Sequence, residues 1–183
     1  MVWNIKEKIG VSIEFEALCS SHIDGNRSVY CLEVGQIYGP YGDVLQFKNM
    51  SCCNFSDSTV SITEYFGQIV DRMAFACSPI FCEYGGDFPF PGNEYVHHIS
   101  TSNPVIGFYV EFQLFYENQV LKYLSFVRLN REKSGQVTNV DFKYFDNNCK
   151  LSNIGVSASK ETFVSALRFH TVCARPISDD FSL

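Results

Sequence analysis

Cys77 and Cys82, separated by four residues and followed by His97 and His98, are the nearest approach in this 183-residue chain to a metal-binding set. Structural zinc sites draw on sulfur and imidazole ligands at close spacing. Here Pro79 intervenes and Cys77 closes a run with helical spacing, so these residues read as core thiols beside a surface histidine pair, and no metal or cofactor is expected. A cysteine nucleophile needs a histidine base and an orienting carboxylate or amide beside it in space. None of the eight cysteines carries a sequence signature of that arrangement, so no catalytic residue is named and the chain reads as a non-enzyme. Vicinal Cys52 and Cys53 would point to opposite faces of a strand, which favours packing over a redox pair. Gly35, Gly39 and Gly42 lack the following helix start that a phosphate-binding loop requires, and read as turn residues. Glu14 and Glu16 share one strand face and, without a partner motif, read as solvated carboxylates rather than an acid–base pair.

What stands out instead is an absence of cations. Between Arg72 and Lys122 there is no lysine or arginine, while Glu83, Asp87, Glu94, Glu111, Glu117 and eleven aromatic side chains occupy the interval. Aromatic rings supply buried area and unpaired carboxylates steer a cation toward them, so this composition suits a contact surface for a basic partner.

The rest of the composition narrows the field. The chain is 46% apolar and long enough for one substantial core, and is read as a single domain over residues 1–183. A net charge of −6 opposes binding to a nucleic-acid backbone, whose affinity comes mainly from cations displacing counterions. The best basic cluster, Arg128, Arg131 and Lys133, is diluted by Glu132 and surrounds a turn signal. No segment reaches the roughly 18–20 consecutive apolar residues that cross a bilayer, so no membrane partner is expected. The opening MVWNIKEKIG sets Lys6, Glu7 and Lys8 where an export signal would need an apolar run, which predicts a cytoplasmic protein. Its cysteines are then expected to be reduced thiols in the core. Three N-x-S triplets, at Asn26, Asn49 and Asn54, carry little weight in that setting.

The elements that must position these residues follow from periodicity. Val11, Ile13, Phe15 and Ala17 alternate with polar residues as in a strand with one wet face; His22–Asn26 supplies a turn, and Val29–Tyr38 resumes the strand. Gly39–Asp43 is a second turn and Val44–Met50 a third strand. Ile62, Tyr65, Phe66, Ile69, Val70 and Met73 then recur at three and four residues behind Ser61 and Glu64, a capping-box pair, which predicts a helix over 60–77. Residues 78–104 read as a long irregular segment, broken by a short strand around Tyr95–Ile99. Val105–Glu117, Gln119–Leu129 and Gln136–Phe145 read as an antiparallel meander. Phe163, Ala166, Leu167, His170 and Cys173 predict a second helix starting near Ser157 or Ser159 and ended by Pro176. The expected fold is therefore α+β, a single domain of antiparallel sheets with two main helices. Its element order resembles the Whirly and PUR-type nucleic-acid-binding folds.

In size, acidity, aromatic content and lack of a catalytic signature, the whole chain resembles the immunity proteins of contact-dependent growth inhibition and related polymorphic toxin systems. That resemblance implies a cytoplasmic inhibitor of one cognate toxin domain, a basic nuclease or RNase, whose active site it occludes. On that reading Tyr84, Tyr95, Tyr109 and Tyr116 are the toxin-binding anchors, with Glu83, Asp87, Glu94 and Glu117 as charged contacts. The alternative is an α+β module for a small ligand or single-stranded nucleic acid, with the 78–104 segment closing over it.

Overall fold

The computed structural model describes residues 17–23, 28–39, 49–55, 58–86, 92–158 and 163–176. Among them there is no helix. Thirteen strands run in chain order: β1 (Ala17–Ile23), β2 (Ser28–Tyr38), β3 (Asn49–Met50), β4 (Val60–Phe66), β5 (Val70–Cys77), β6 (Ile80–Gly85), β7 (Asn93–Ile99), β8 (Val105–Phe115), β9 (Asn118–Arg128), β10 (Lys133–Gly135), β11 (Lys143–Tyr144), β12 (Cys149–Ala158) and β13 (Val164–Pro176). They form three sheets, ordered β1-β2-β13-β12-β3, β6-β5-β4-β7 and β10-β9-β8-β11. Every pairing is antiparallel.

Both expected helices are strands, which corrects the α+β class. Residues 60–77 are the β4–β5 hairpin, with Ser61 opposite Ala76 and Tyr65 opposite Arg72. Residues 164–176 are the middle strand of the five-stranded sheet, flanked by β2 and β12. In the long segment 78–104, β6 and β7 form the two edges of the second sheet. The meander expected over 105–129 is present as β8 and β9, whereas 136–145 contributes only the two residues of β11. Glu14, Glu16, Gly42, most of the first strand and the 24–27 and 40–43 turns lie outside the described residues.

Each sheet turns one face inward to a shared core. Leu151, Ile154, Val156, Leu167 and Phe169 come from the first sheet, Ile62, Val70, Met73, Phe75 and Ile99 from the second, and Phe108, Leu121, Leu124 and Phe126 from the third. Phe169 is the hub: its ring stacks on Phe108 at 4.1 Å and meets Phe126 edge-on at 6.4 Å and Tyr38 at 5.7 Å. Such pairs add about 0.5–1.5 kcal/mol each beyond the area they bury. Gly35, read from sequence as a turn residue, lies inside β2. A Cβ there would stand 2.1 Å from the Phe169 carbonyl oxygen, so glycine is what lets β2 approach β13 beside the hub.

Disulfides brace this core, contrary to the expected free thiols. Cys52 is bonded to Cys82, Cys53 to Cys77 and Cys149 to Cys173. Cys31 is also disulfide-bonded, and the register sets Cys19 opposite it. The vicinal pair Cys52 and Cys53 thus reaches two neighbouring strands, β6 and β5, and fastens the segment before β4 to the second sheet. Asn153 fastens the same segment to β12, its amide donating to the carbonyls of Ser51 and Cys53 at 3.1 Å each.

Candidate functional site

The residues named from sequence do not share one surface. Glu83, on β6, faces outward and pairs with Arg72 at 3.6 Å, while the neighbouring Tyr84 turns the other way and donates to the Met50 carbonyl at 2.7 Å. Burial pushes the Tyr84 phenol above its ordinary value. Glu94 is exposed on β7, but Tyr95 packs inward with its ring 4.8 Å from that of His97. Asp87 lies outside the described residues. Tyr109 belongs to the third sheet, where it donates to Glu111 at 2.7 Å; Lys122 donates to the same carboxylate at 3.0 Å. That bond pins the phenol proton and, helped by burial and the carboxylate charge, pushes Tyr109 up to about 12, while Glu111 is held below its ordinary value. Only Tyr116 and Glu117 remain together, at the tip of the β8–β9 hairpin. The cysteines and histidines of the zinc reading are also dispersed: both thiols are in disulfides, His97 is buried and His98 is exposed against Ser61.

Sequence reasoning missed a buried polar set. Glu64 on β4, His97 on β7 and Ser134 on β10 form a chain across two sheets: one imidazole nitrogen of His97 bonds Glu64, and the other lies 3.1 Å from the Ser134 hydroxyl. Both Glu64 and His97 are wholly buried, and the edge of the Phe126 ring closes over the imidazole at 4.9 Å. Gly135, at φ +137°, follows Ser134; a Cβ on it would overlap the Ser125 hydroxyl at 2.1 Å. The order Ser–His–Glu is that of a nucleophile, base and orienting acid. Here the serine is 7% exposed and the pair it feeds is sealed, so the set acts as a strut between sheets.

A different place gathers exposed groups. Two of the sheets send a turn to one end of the molecule, 67–69 between β4 and β5 and Tyr116–Glu117 between β8 and β9, and Phe163, just before β13 of the remaining sheet, lies there too. Gln113 joins the two turns by donating to the Gln68 carbonyl at 3.0 Å, and the Phe115 ring meets Phe163 edge-on at 5.2 Å. Tyr116 stands on this platform, its ring 4.6 Å from Phe115 and 82% exposed. Both Tyr116 (φ +45°) and Glu117 (φ +66°) occupy the left-handed region, as the two central residues of a tight hairpin that pairs Phe115 with Asn118 must. Asn118 supports the turn by donating to the Tyr116 carbonyl at 3.0 Å. An aromatic face with the Glu117 carboxylate and the Asn118 amide next to it in the same turn can stack on an apolar ligand face and hydrogen-bond its rim.

No family model and no curated protein matches the sequence. Solved structures do match in shape. The Malaysian banana lectin aligns with a TM-score of 0.57 at 12% identity, over 79% of this chain and 98% of its own. The Calystegia sepium agglutinin aligns with a TM-score of 0.55 at 16% identity, again over 79% and 98%. The second β-prism domain of RbmC from V. cholerae, solved with N-acetylglucosaminyl-β-1,2-mannose, gives 0.52 at 13% identity over 74% and 98%. The fold is that of a β-prism. This likeness overturns the Whirly-like layout together with the immunity-protein reading, its basic toxin partner and the nucleic-acid alternative. The neighbours are lectins, and the β-prism built here is all-β, with the expected anchors spread over two sheets and one hairpin tip.

Proposed function

We propose that this chain is a glycan-binding module, without catalysis of its own, that takes its ligand at the end of the β-prism where Tyr116 projects. The observation that carries the proposal is the exposed Tyr116 ring, held against Phe115, whose own ring meets Phe163, at an end to which all three sheets contribute residues. A sugar ring has a C–H face that lies on an aromatic surface and a rim of hydroxyls that pairs with amides and carboxylates; Glu117 and Asn118, next to Tyr116 in the chain, supply these. The resemblance of the fold to lectins supports the same reading. The paired cysteines favour an oxidising compartment, where extracellular glycans are met, over the cytoplasm expected from sequence.

The test is binding of the purified chain to an array of neutral and acidic oligosaccharides, followed by titration calorimetry with the best ligand. Tyr116→Ala should weaken binding about tenfold if the ring contributes ~1.4 kcal/mol, with an unchanged circular dichroism spectrum. Binding that survives this substitution would remove the site from this end, and an array without any ligand would remove the function.

A further inference from the structure

We infer that Asn54 is an N-glycosylation site. Asn54-Phe55-Ser56 is one of three N-x-S triplets in the chain, a pattern that the asparagine-glycosylating machinery of the secretory pathway accepts. Two observations separate it from a chance match. The first is the set of disulfides: Cys52–Cys82 and Cys53–Cys77 anchor the two residues immediately before the triplet, and such bonds persist where that machinery works. The second is exposure. Ser51, Cys53 and Phe55 are buried and Cys52 is half-buried, whereas Asn54 is exposed, so within residues 51–55 it alone can carry a large polar group into solvent.

The other two triplets differ. Asn49 is in β3, opposite Val156 of β12, and its acceptor serine, Ser51, is buried with its hydroxyl donating to the Cys53 carbonyl at 2.9 Å. Asn26 lies outside the described residues. Asn54 is also far from the Tyr116 end. Phe55 donates its amide to the Ser152 carbonyl, in the half of β12 nearer Cys149, and Cys53 is tied to Cys77, where β5 turns into β6 at the opposite end. A glycan there leaves the proposed ligand end open.

The donor is an oligosaccharide linked through a diphosphate to a polyisoprenoid lipid. The Asn54 side-chain nitrogen forms a bond to C1 of the first sugar, and the bond from C1 to the diphosphate oxygen breaks. The lipid diphosphate leaves with the electron pair, and the amide proton passes to a base of the transferase. No oxidation or reduction occurs.

The experiment expresses the full chain behind a secretory leader in eukaryotic cells and analyses secreted and retained protein together. Peptide-N-glycosidase should lower the intact mass by one glycan and convert Asn54 to aspartate, seen by peptide mass spectrometry. Asn54→Gln should abolish that shift, Ser56→Ala should abolish it while leaving the asparagine in place, and Ser56→Thr should keep it. Disulfide-bonded chain with unmodified Asn54 would overturn the inference, as would a shift that Ser56→Ala leaves intact.

Discussion

Replacing His97 with leucine tests whether the Glu64–His97–Ser134 chain is the strut described. In the native fold both partners are at 0% side-chain exposure, and His97 is the direct link between the Glu64 carboxyl and the Ser134 hydroxyl. Leucine fills much of the imidazole volume but bonds neither. The Glu64 carboxyl keeps only the Gln136 amide, at 3.4 Å. Breaking a buried pair by removing one member costs about 3–5 kcal/mol, because the other is left uncompensated. For a chain of this length each kcal/mol moves the melting temperature by about 2–4 °C, so His97→Leu should melt roughly 6–20 °C lower than the parent. Glu64→Gln, which keeps an acceptor and a donor in place, should lose only about 1–2 kcal/mol. The decisive variant is Glu64→Leu with His97→Leu. With both polar members gone the site becomes apolar, and the double variant should be more stable than the sum of the two single losses predicts, as a coupled pair requires. The assay is calorimetric melting with the disulfides intact, analysed as a double-mutant cycle. Additive losses, or a His97→Leu melting point within about 2 °C of the parent, would refute the reasoning, since 3 kcal/mol cannot hide in so small a shift.

Two further outcomes follow from the same fold. Replacing Cys149 and Cys173 by alanine opens a closure spanning 24 residues between β12 and β13, for which the chain-entropy relation gives about 3.5 kcal/mol. A lower urea midpoint checks this, and an unchanged midpoint would contradict it. In acid titrations of stability, burial, with the Arg168 charge adding to it, holds His170 below its ordinary 6.5, so the unfolded chain takes up this proton first and stability should fall as pH drops below about 6.5. His170→Phe should flatten that limb. Below the ordinary glutamate value of 4.5 the unfolded chain takes up a proton that Glu111, hydrogen-bonded to Tyr109 and Lys122, still refuses in the fold, and Glu111→Gln should reduce this second loss while leaving the first.

The helical spacing of residues 60–77 is a product of two strands and a turn. Within β4, Ile62 and Glu64 face inward and Tyr65 outward; the 67–69 turn then restarts the phase, so Ile69 and Val70 fall three and four residues after Phe66, and Met73 three after Val70. The signals that could have decided for a hairpin were Gly67-Gln68 at the centre and the density of Val60, Ile62, Thr63, Ile69 and Val70, which suit a pleated strand better than a helix. Ser61 and Glu64, read as a capping box, serve instead as a partner for His98 and as the buried end of the strut. The second misreading has another cause. As the middle strand of a five-stranded sheet, β13 has neighbours along both edges, and it shifts register against both β2 and β12. The consecutive buried run Phe169, His170 and Thr171 therefore shows no period of two.

The same geometry explains why an interval without cations did not mark out a surface. Residues 73–121 run through β5, β6, β7, β8 and into β9, crossing from the second sheet to the third. Along each strand successive side chains face opposite ways, so Glu83 and Tyr84 part company, as do Glu94 and Tyr95. A run of sequence in an all-β chain stays together in space only where the strand ends. That is why Tyr116 and Glu117, two residues of one turn, are the pair from the original set that the fold keeps side by side in solvent. Gln68 and Phe163, which reach the same end through Gln113 and Phe115 of β8, lie 48 positions before and 47 after Tyr116 and are brought there by three separate sheets. Nothing in local periodicity carries that information. A binding site at the end of such a fold is thus specified by how many residues each hairpin holds, and lengthening the β8–β9 turn by one residue should abolish ligand binding while the three sheets still form.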